Sequence, residues 1–461
     1  MSSSTPSIRF GVVGASVAGL SCAYLLQEAG HSVTVLEMNN FGYQTDGGLR
    51  IPPNMSRLLQ EFPGVDTLFA QMATKCSGLL LRDGDTSKLV GQMIFMDEVM
   101  SDLGCDFYMI PYTALCNHLY TLCESIGVEF KYNFQVKDLQ LRQELPVSVL
   151  SVDGETLEFD IVVGADGKNS VVRSILIAED QSEDDSLEIA GDEAKMEMPS
   201  EITGATVSVP VALMEKDPDL APMLQDDKLS IWMGDGSSIT GGRYGPDLYV
   251  LGLTYALPAS DWKDSEWDKG EPVELLIEKM GHYDQRVSRA MSLGSSVHWN
   301  TQVVHNLPRY VDRTEQVILI GDAAHSTPIN GSYNSATAVE DAFTLGRLFS
   351  HLTNRSQIHL LLSGYDQIRQ SRTHETEQSE MASVRTIGMP PGPHRDSRNQ
   401  ALRMTLHLEG ADDETLARAW ADYLRQFNYD AKDAVDEWWL NWAKPVQAAA
   451  SEAVLVNGNS H

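Results

Sequence analysis

The chain has 461 residues, 42% hydrophobic and 21% charged, the composition of a globular protein long enough to fold as two or three structural units. Its formal net charge of −31 argues against nucleic acid and anionic membrane surfaces as partners, because both are polyanions. No apolar run is long enough to span a bilayer and Met1 to Ser7 does not read as a leader, so neither a membrane span nor secretion is expected, and the expected location is cytoplasmic.

The first predicted element is a strand from Ile8 to Val13. The turn Gly14-Ala15-Ser16-Val17-Ala18-Gly19 follows, then a helix through Ala29 and a second strand from Ser32 to Glu37. Strand, glycine turn, helix, strand and terminal acid are what a dinucleotide-binding βαβ unit needs. Gly14 permits the tight turn, Gly19 lets the helix approach the strand, and the helix N-terminus offers N–H groups to a pyrophosphate. Glu37 is expected to accept hydrogen bonds from an adenosine ribose and to repel a 2′-phosphate, so the resident nucleotide is not expected to be NADP. Ser16 stands where the fingerprint has its middle glycine, the point of closest approach to the phosphates, and its hydroxyl can donate there. An ordinary βα turn without a ligand is the plain alternative.

Residues 41–53 are rich in glycine and read as a loop, in which Arg50 is either a contact to a flat cofactor or a solvated surface arginine. A helix is predicted to start near Asn54 as its N-cap. Hairpins are predicted about Asp83-Gly84-Asp85 and about Asp153-Gly154, with a helix from Pro111 to Ile126 and a strand from Val128 to Tyr132 between them. A buried strand then runs from Phe159 into Gly164-Ala165-Asp166-Gly167, and a helix starts over Lys168 to Arg173. The run Glu179 to Asp185 reads as a solvated acidic loop.

From about 178 to 300 short alternating segments, Thr206 to Val209 and Leu248 to Leu253 among them, predict a mostly antiparallel sheet. Gly234 to Gly236 and Gly241 to Gly245 read as its hairpin turns rather than as a second phosphate site, since no helix follows. Gln316 to Ile320 is a buried strand entering Gly321-Asp322-Ala323-Ala324-His325, and a helix covers Ala336 to Phe349. The remainder reads as helical, with Trp420, Phe427, Trp438, Trp439 and Trp442 as core aromatics of an amphipathic cap. All five cysteines lie in the first third without a C-x-x-C pair, so reduced thiols are expected rather than disulfides or a zinc site, and no metal site is expected.

Three separated motifs occur together: the fingerprint at 14–19 with Glu37, Gly164 to Gly167, and Gly321 to His325. In this combination the chain resembles the FAD-dependent single-component monooxygenases, the class of para-hydroxybenzoate and salicylate hydroxylases, including fungal secondary-metabolism enzymes. The resemblance implies an α/β fold: a Rossmann-like FAD-binding domain, an interleaved, mostly antiparallel substrate domain, and C-terminal helices. The corresponding division is 1–77, 111–177 and 301–375 for FAD, 78–110 and 178–300 for substrate, and 376–461 for a helical C-terminal region. It implies FAD as cofactor, NADPH or NADH as transient reductant, and O2 as co-substrate. The product it implies is a hydroxylated or epoxidised small molecule.

By the same resemblance Gly14, Ser16, Gly19, Glu37, Arg50, Tyr112, Asp166, Gly321, Asp322, Gly331 and Ser335 are the expected FAD-binding residues. Asp322 is expected at the ribityl chain, and the turn and helix beyond Pro328 at the pyrimidine edge of the flavin. The sequence also departs from that pattern. Pro111-Tyr112 replaces a frequent His-Arg pair, and Ser332 to Ser335 follow Gly331 where a second glycine is common. The arginine and tyrosine that hold a phenolate in related enzymes are missing near Ser208, leaving the adjacent Arg243 and Tyr244 as candidate catalytic groups. A simple acidic phenol is therefore not the expected substrate. Two other readings stay open: a fold that lost redox turnover and serves as a cyclase, dehydratase or binding module, and a flavin oxidase or halogenase.

Overall fold

The computed structural model describes residues 6–40, 47–141, 146–183, 201–255, 271–303, 307–325, 327–328, 330–407, 420–421 and 423–444. Five parallel strands form one sheet in the order Val317–Leu319, Ile161–Gly164, Arg9–Val13, Ser32–Leu36, Glu129–Lys131. Its central strands are near-continuous runs of buried valine and isoleucine, the pattern of a sheet covered on both faces. Helix Val17–Glu28 packs on helix Asn334–Ser350 so closely that a Cβ on Gly346 would lie 2.7 Å from Leu25 Cβ.

A seven-stranded sheet forms the second unit, in the order Val297–Val303, Glu201–Pro210, Leu248–Tyr255, Ser237–Arg243, Leu229–Met233, Gly78–Asp83, Leu89–Ile94. Gly78–Asp83 joins Leu229–Met233 in a parallel pairing, and the other neighbours run antiparallel. Alternation along these strands gives two unlike faces. Ala205, Val207, Leu251 and Leu253 pack under helices Val273–Lys279 and Gln285–Met291, two helices that the sequence reading of 178–300 had not foreseen. In the 30-residue helix Ile358–Ile387, Tyr365 donates to Leu319 O of the parallel sheet, and Gly388 just past its end accepts from the Gly236 N–H, in the turn between strands Leu229–Met233 and Ser237–Arg243.

The α/β class, both hairpins and the helix at 112–125 agree with expectation. Several local expectations do not. Asn54 is not an N-cap: Pro52 is, Pro53 opens helix Pro53–Leu59 as proline favours, and the Asn54 side chain is buried inside it. The acidic run is not a loop over 179–183, which continue helix Val171–Glu183; residues 184 and 185 lie outside the described residues. Gly241, Gly242 and Arg243 belong to strand Ser237–Arg243, and the turn lies beyond them, closed by the Tyr244 N–H on Leu248 O at 2.8 Å. A glycine pair is a turn signal in sequence. Here it serves close packing instead, since a Cβ on Gly241 would meet Trp232 at 2.8 Å. Trp420, Phe427 and Trp438 are core aromatics, Trp439 is half-buried, and Trp442 is 65% exposed. The five cysteines are buried and free. Among the described residues no cluster could hold a metal ion, and no helix is long and apolar enough to cross a membrane.

Candidate active site

The last residues of four neighbouring parallel strands align: Val13 pairs with Leu36 and with Gly164, and Gly164 pairs with Leu319. The loops that follow therefore meet along one edge, where ligands of open α/β sheets bind. Gly14 has φ +103°, and a Cβ there would lie 2.6 Å from Ala165 O; a Cβ on Gly19 would collide with Gly14 O. Ser16 is the N-cap of helix Val17–Glu28 and makes no side-chain cap bond, so the helix end keeps N–H groups for an anion. Glu37 accepts from the Ala15 N–H and the Asn39 N–H, each at 2.9 Å, so the ribose candidate folds back onto the fingerprint loop.

Asp166 accepts from Ser170 Oγ at 2.5 Å and from the Val171 and Val172 N–H groups, which makes it the cap of helix Val171–Glu183. Burial raises its carboxyl above the ordinary range despite these donors. Arg173 of that helix donates to the carbonyls of Asp322, Ala323 and Lys168, tying the second motif to the third. Gly321 has φ +58° and sits against Ala18 at a distance of 3.2 Å from its own would-be Cβ. Asp322 Oδ1 is buried without a hydrogen-bond partner, and burial raises this carboxyl although His325, Lys168 and Arg173 oppose the shift. Tyr112 opens helix Tyr112–Ser125 nearby; burial holds its proton well above the usual phenol range, with Cys116 and Asp322 adding to the effect.

Beneath the Gly-Asp turn lies a charge network that the sequence reading missed. Asp341 Oδ2 accepts from the Gly321 N–H at 2.8 Å and lies 2.7 Å from His325 Nε2, while Oδ1 accepts from Arg369 Nε at 2.6 Å. Glu340 takes Arg369, Arg372 and Asn54 as donors at 2.9–3.0 Å, all within the core. Burial alone would raise both carboxyls, yet the histidine and arginine beside Asp341 and the two arginines beside Glu340 hold them below their ordinary values. The signal was present in the sequence as two acids set among Ala338, Val339, Ala342 and Phe343, and two arginines at i,i+3 on a later helix.

Arg50 links this region to the seven-stranded sheet. Its Nε donates to Tyr244 Oη at 3.1 Å, Nη1 to Asn330 O at 2.5 Å and Nη2 to Thr240 Oγ1 at 2.6 Å, so it is not a solvated surface arginine. Arg243 and Tyr244, adjacent in sequence, bond to different partners. Tyr244 turns inward to Arg50, whereas Arg243, the last residue of its strand, donates to Gly245 O and Pro246 O of the turn that follows. Gly331 is pressed against Glu380, whose Oε1 accepts from the Ser332 N–H at 3.2 Å; Ser335 is half-buried in the first turn of helix Asn334–Ser350.

Burial pushes the Glu380 carboxyl up to about 7, against the pull of the Ser332 N–H and Arg50. The fold thus favours its neutral form, and the stability tied to that form is full below the ordinary 4.5 and is lost as pH rises through about 7. Glu380→Gln keeps an oxygen for Ser332 and removes the charge. It is expected to raise the melting temperature more at about pH 8 than at about pH 5.5; an equal gain at both would show that this carboxyl does not titrate in that window.

A family model described as "FAD binding domain" matches residues 8–380. Among curated relatives, the chain is 23% identical to the FAD-dependent monooxygenase OpS4 of Beauveria bassiana, over 92% of this chain and 96% of that protein. It is 26% identical to the hispidin-3-hydroxylase of Neonothopanus nambi (81% and 87% covered) and 27% to the 3-amino-4-hydroxybenzoate 2-monooxygenase of Streptomyces cremeus (86% and 92%). Among solved structures, CtdE in complex with FAD and substrate superposes with a TM-score of 0.72 at 17% identity, covering 96% of this chain and all of that one. A salicylate hydroxylase substrate complex superposes at 0.67 and 17%, covering 93% and 97%. These two likenesses are likenesses of fold.

Proposed function

The chain belongs to the FAD binding domain family, and on that premise we propose that it is an FAD-dependent monooxygenase. It uses NADPH or NADH and O2 to hydroxylate or epoxidise a medium-sized organic molecule in fungal secondary metabolism, in the cytoplasm. The observation that carries the reading is the convergence of three motif loops on one sheet edge, with a buried, unpartnered Asp322 Oδ1 among them. Loss of redox turnover is not favoured, since the curated relatives are named as monooxygenases and hydroxylases.

The residues present fit FAD. The Gly14 turn and the uncapped end of helix Val17–Glu28 would hold the pyrophosphate, with Ser16 donating to it, and Glu37 would take the adenosine ribose. Asp322 Oδ1 has an open acceptor for a ribityl hydroxyl. Helix Asn334–Ser350 also lacks a side-chain cap, so its N–H groups, near Gly331 and Ser335, would face the pyrimidine edge. When bound, FAD supplies hydride acceptance from the nicotinamide and activation of O2. The protein's part is to hold and orient the ring, to exclude water under the seven-stranded sheet, and to keep Arg50 and Tyr244 locked at the junction. In this reading 1–77, 111–177 and 301–375 carry the flavin, and 78–110 with 178–300 cover the substrate.

The test is direct. The purified protein is expected to be yellow, to oxidise NADPH faster with its substrate present, and to transfer labelled dioxygen into one metabolite of a cell extract. A colourless protein that refuses added FAD would overturn the proposal.

A further inference from the structure

One face of the seven-stranded sheet is closed by its own helices, where Ala205, Val207, Ile239, Leu251, Leu253 and Val297 pack. Side chains alternate along a strand, so Thr206, Ser208, Thr240 and His298 project from the other face. Register sets His298, Thr206, Gly252 and Thr240 in one row across four strands. The loop leading to helix Asn334–Ser350 lies on this row. Asn330 donates to Leu253 O at 2.9 Å and accepts from Thr206 Oγ1 at 3.4 Å, and a Cβ on Gly252 would come within 2.8 Å of its side chain.

Beside that contact two side-chain atoms are buried without any hydrogen-bond partner, His298 Nδ1 and Ser208 Oγ. Ser208 is the next residue after Thr206 on this face, and His298 is the cross-strand partner of Thr206. The other histidine nitrogen, Nε2, lies 3.4 Å from Ser296 Oγ. Leaving a buried polar atom unpaired costs free energy, and two such atoms on one face of neighbouring strands mark a place where something else supplies the partners.

Resting on the flavoenzyme reading above, we infer that Ser208 and His298 form the substrate's hydrogen-bonding subsite, and that the substrate is an uncharged molecule with an N–H or hydroxyl beside a carbonyl, as in a lactam or a hydroxy-ketone. Serine offers one O–H and its lone pairs, and an imidazole nitrogen offers one donor or one acceptor, so an adjacent donor and acceptor on the ligand satisfies both. Neither Arg50 nor Arg243 has a guanidinium free for a carboxylate. Arg50 has Nε and both terminal nitrogens committed to Tyr244, Asn330 and Thr240, and Arg243 is committed to its own turn. An anion buried without a cation is costly.

The experiment titrates the FAD-loaded protein with 2-quinolone, a lactam, and with quinoline-2-carboxylate of the same ring size, following the flavin difference spectrum. The lactam is expected to shift the spectrum, and Ser208→Ala and His298→Phe are each expected to weaken its Kd about tenfold at unchanged flavin content. Ligand-free, Ser208→Ala is expected to melt at the same or a higher temperature, since it removes an unpaired atom; this holds whether or not His298→Phe accumulates. A spectrum unmoved by the lactam, tighter binding of the carboxylate, or a clearly lower melting temperature for Ser208→Ala overturns the inference alone. A colourless protein removes the flavoenzyme reading together with it.

Discussion

Asp322→Ala is expected to release most of the FAD on gel filtration while leaving the fold intact. A hydrogen bond to a charged acceptor is worth about 1.5–3 kcal/mol, which corresponds to roughly a tenfold to hundredfold weaker Kd. The ligand-free variant carries a second signature. Asp322 Oδ1 is buried without a protein partner and burial raises its carboxyl, so the group costs the ligand-free protein stability that a donor on the cofactor restores. The alanine variant should therefore melt no lower than the parent without FAD and clearly lower with it. Equal flavin content in both proteins would remove Asp322 from the site.

The second large effect is on stability. Asp341→Ala leaves Arg369 inside the core with one carboxylate fewer and leaves the Gly321 N–H and His325 Nε2 unpaired. Breaking a buried ion pair from one side costs about 3–5 kcal/mol, because the surviving charge stays out of water without its partner. Urea unfolding should show a loss of that size, and since Asp341 also holds the turn that presents Asp322, flavin retention should fall with it. Asp341→Asn, which can still accept from Arg369, should lose less. If alanine and asparagine lose equally little, the network is not what supports the turn.

These two residues also separate what is legible in one dimension from what is not. Asp322 announces itself because a buried strand running into Gly-Asp is a local pattern, and the same holds for Gly14, Gly19 and Glu37, whose roles depend on neighbours within a few dozen positions. Asp341 sits in the middle of a helix, where its apolar neighbours hint at burial but nothing local names its partner, Arg369, 28 positions later. Arg50 was ambiguous for the same reason, since its three acceptors lie 190–280 positions away.

By itself, then, the sequence determined the mononucleotide-type unit, the three motif loops and the alternating strands of the second unit, because hydrophobic periodicity and turn chemistry are local, and the class of protein entered through the family resemblance those motifs carry. Tertiary structure alone decided that Tyr244 and not Arg243 joins Arg50, that Glu340 and Asp341 are paired in the core, and that Ser208 Oγ and His298 Nδ1 stand unpartnered on one face. Each of those outcomes depends on strand register and on which charge meets which across hundreds of positions, and burial, which sets their energies, exists only once the chain has closed on itself.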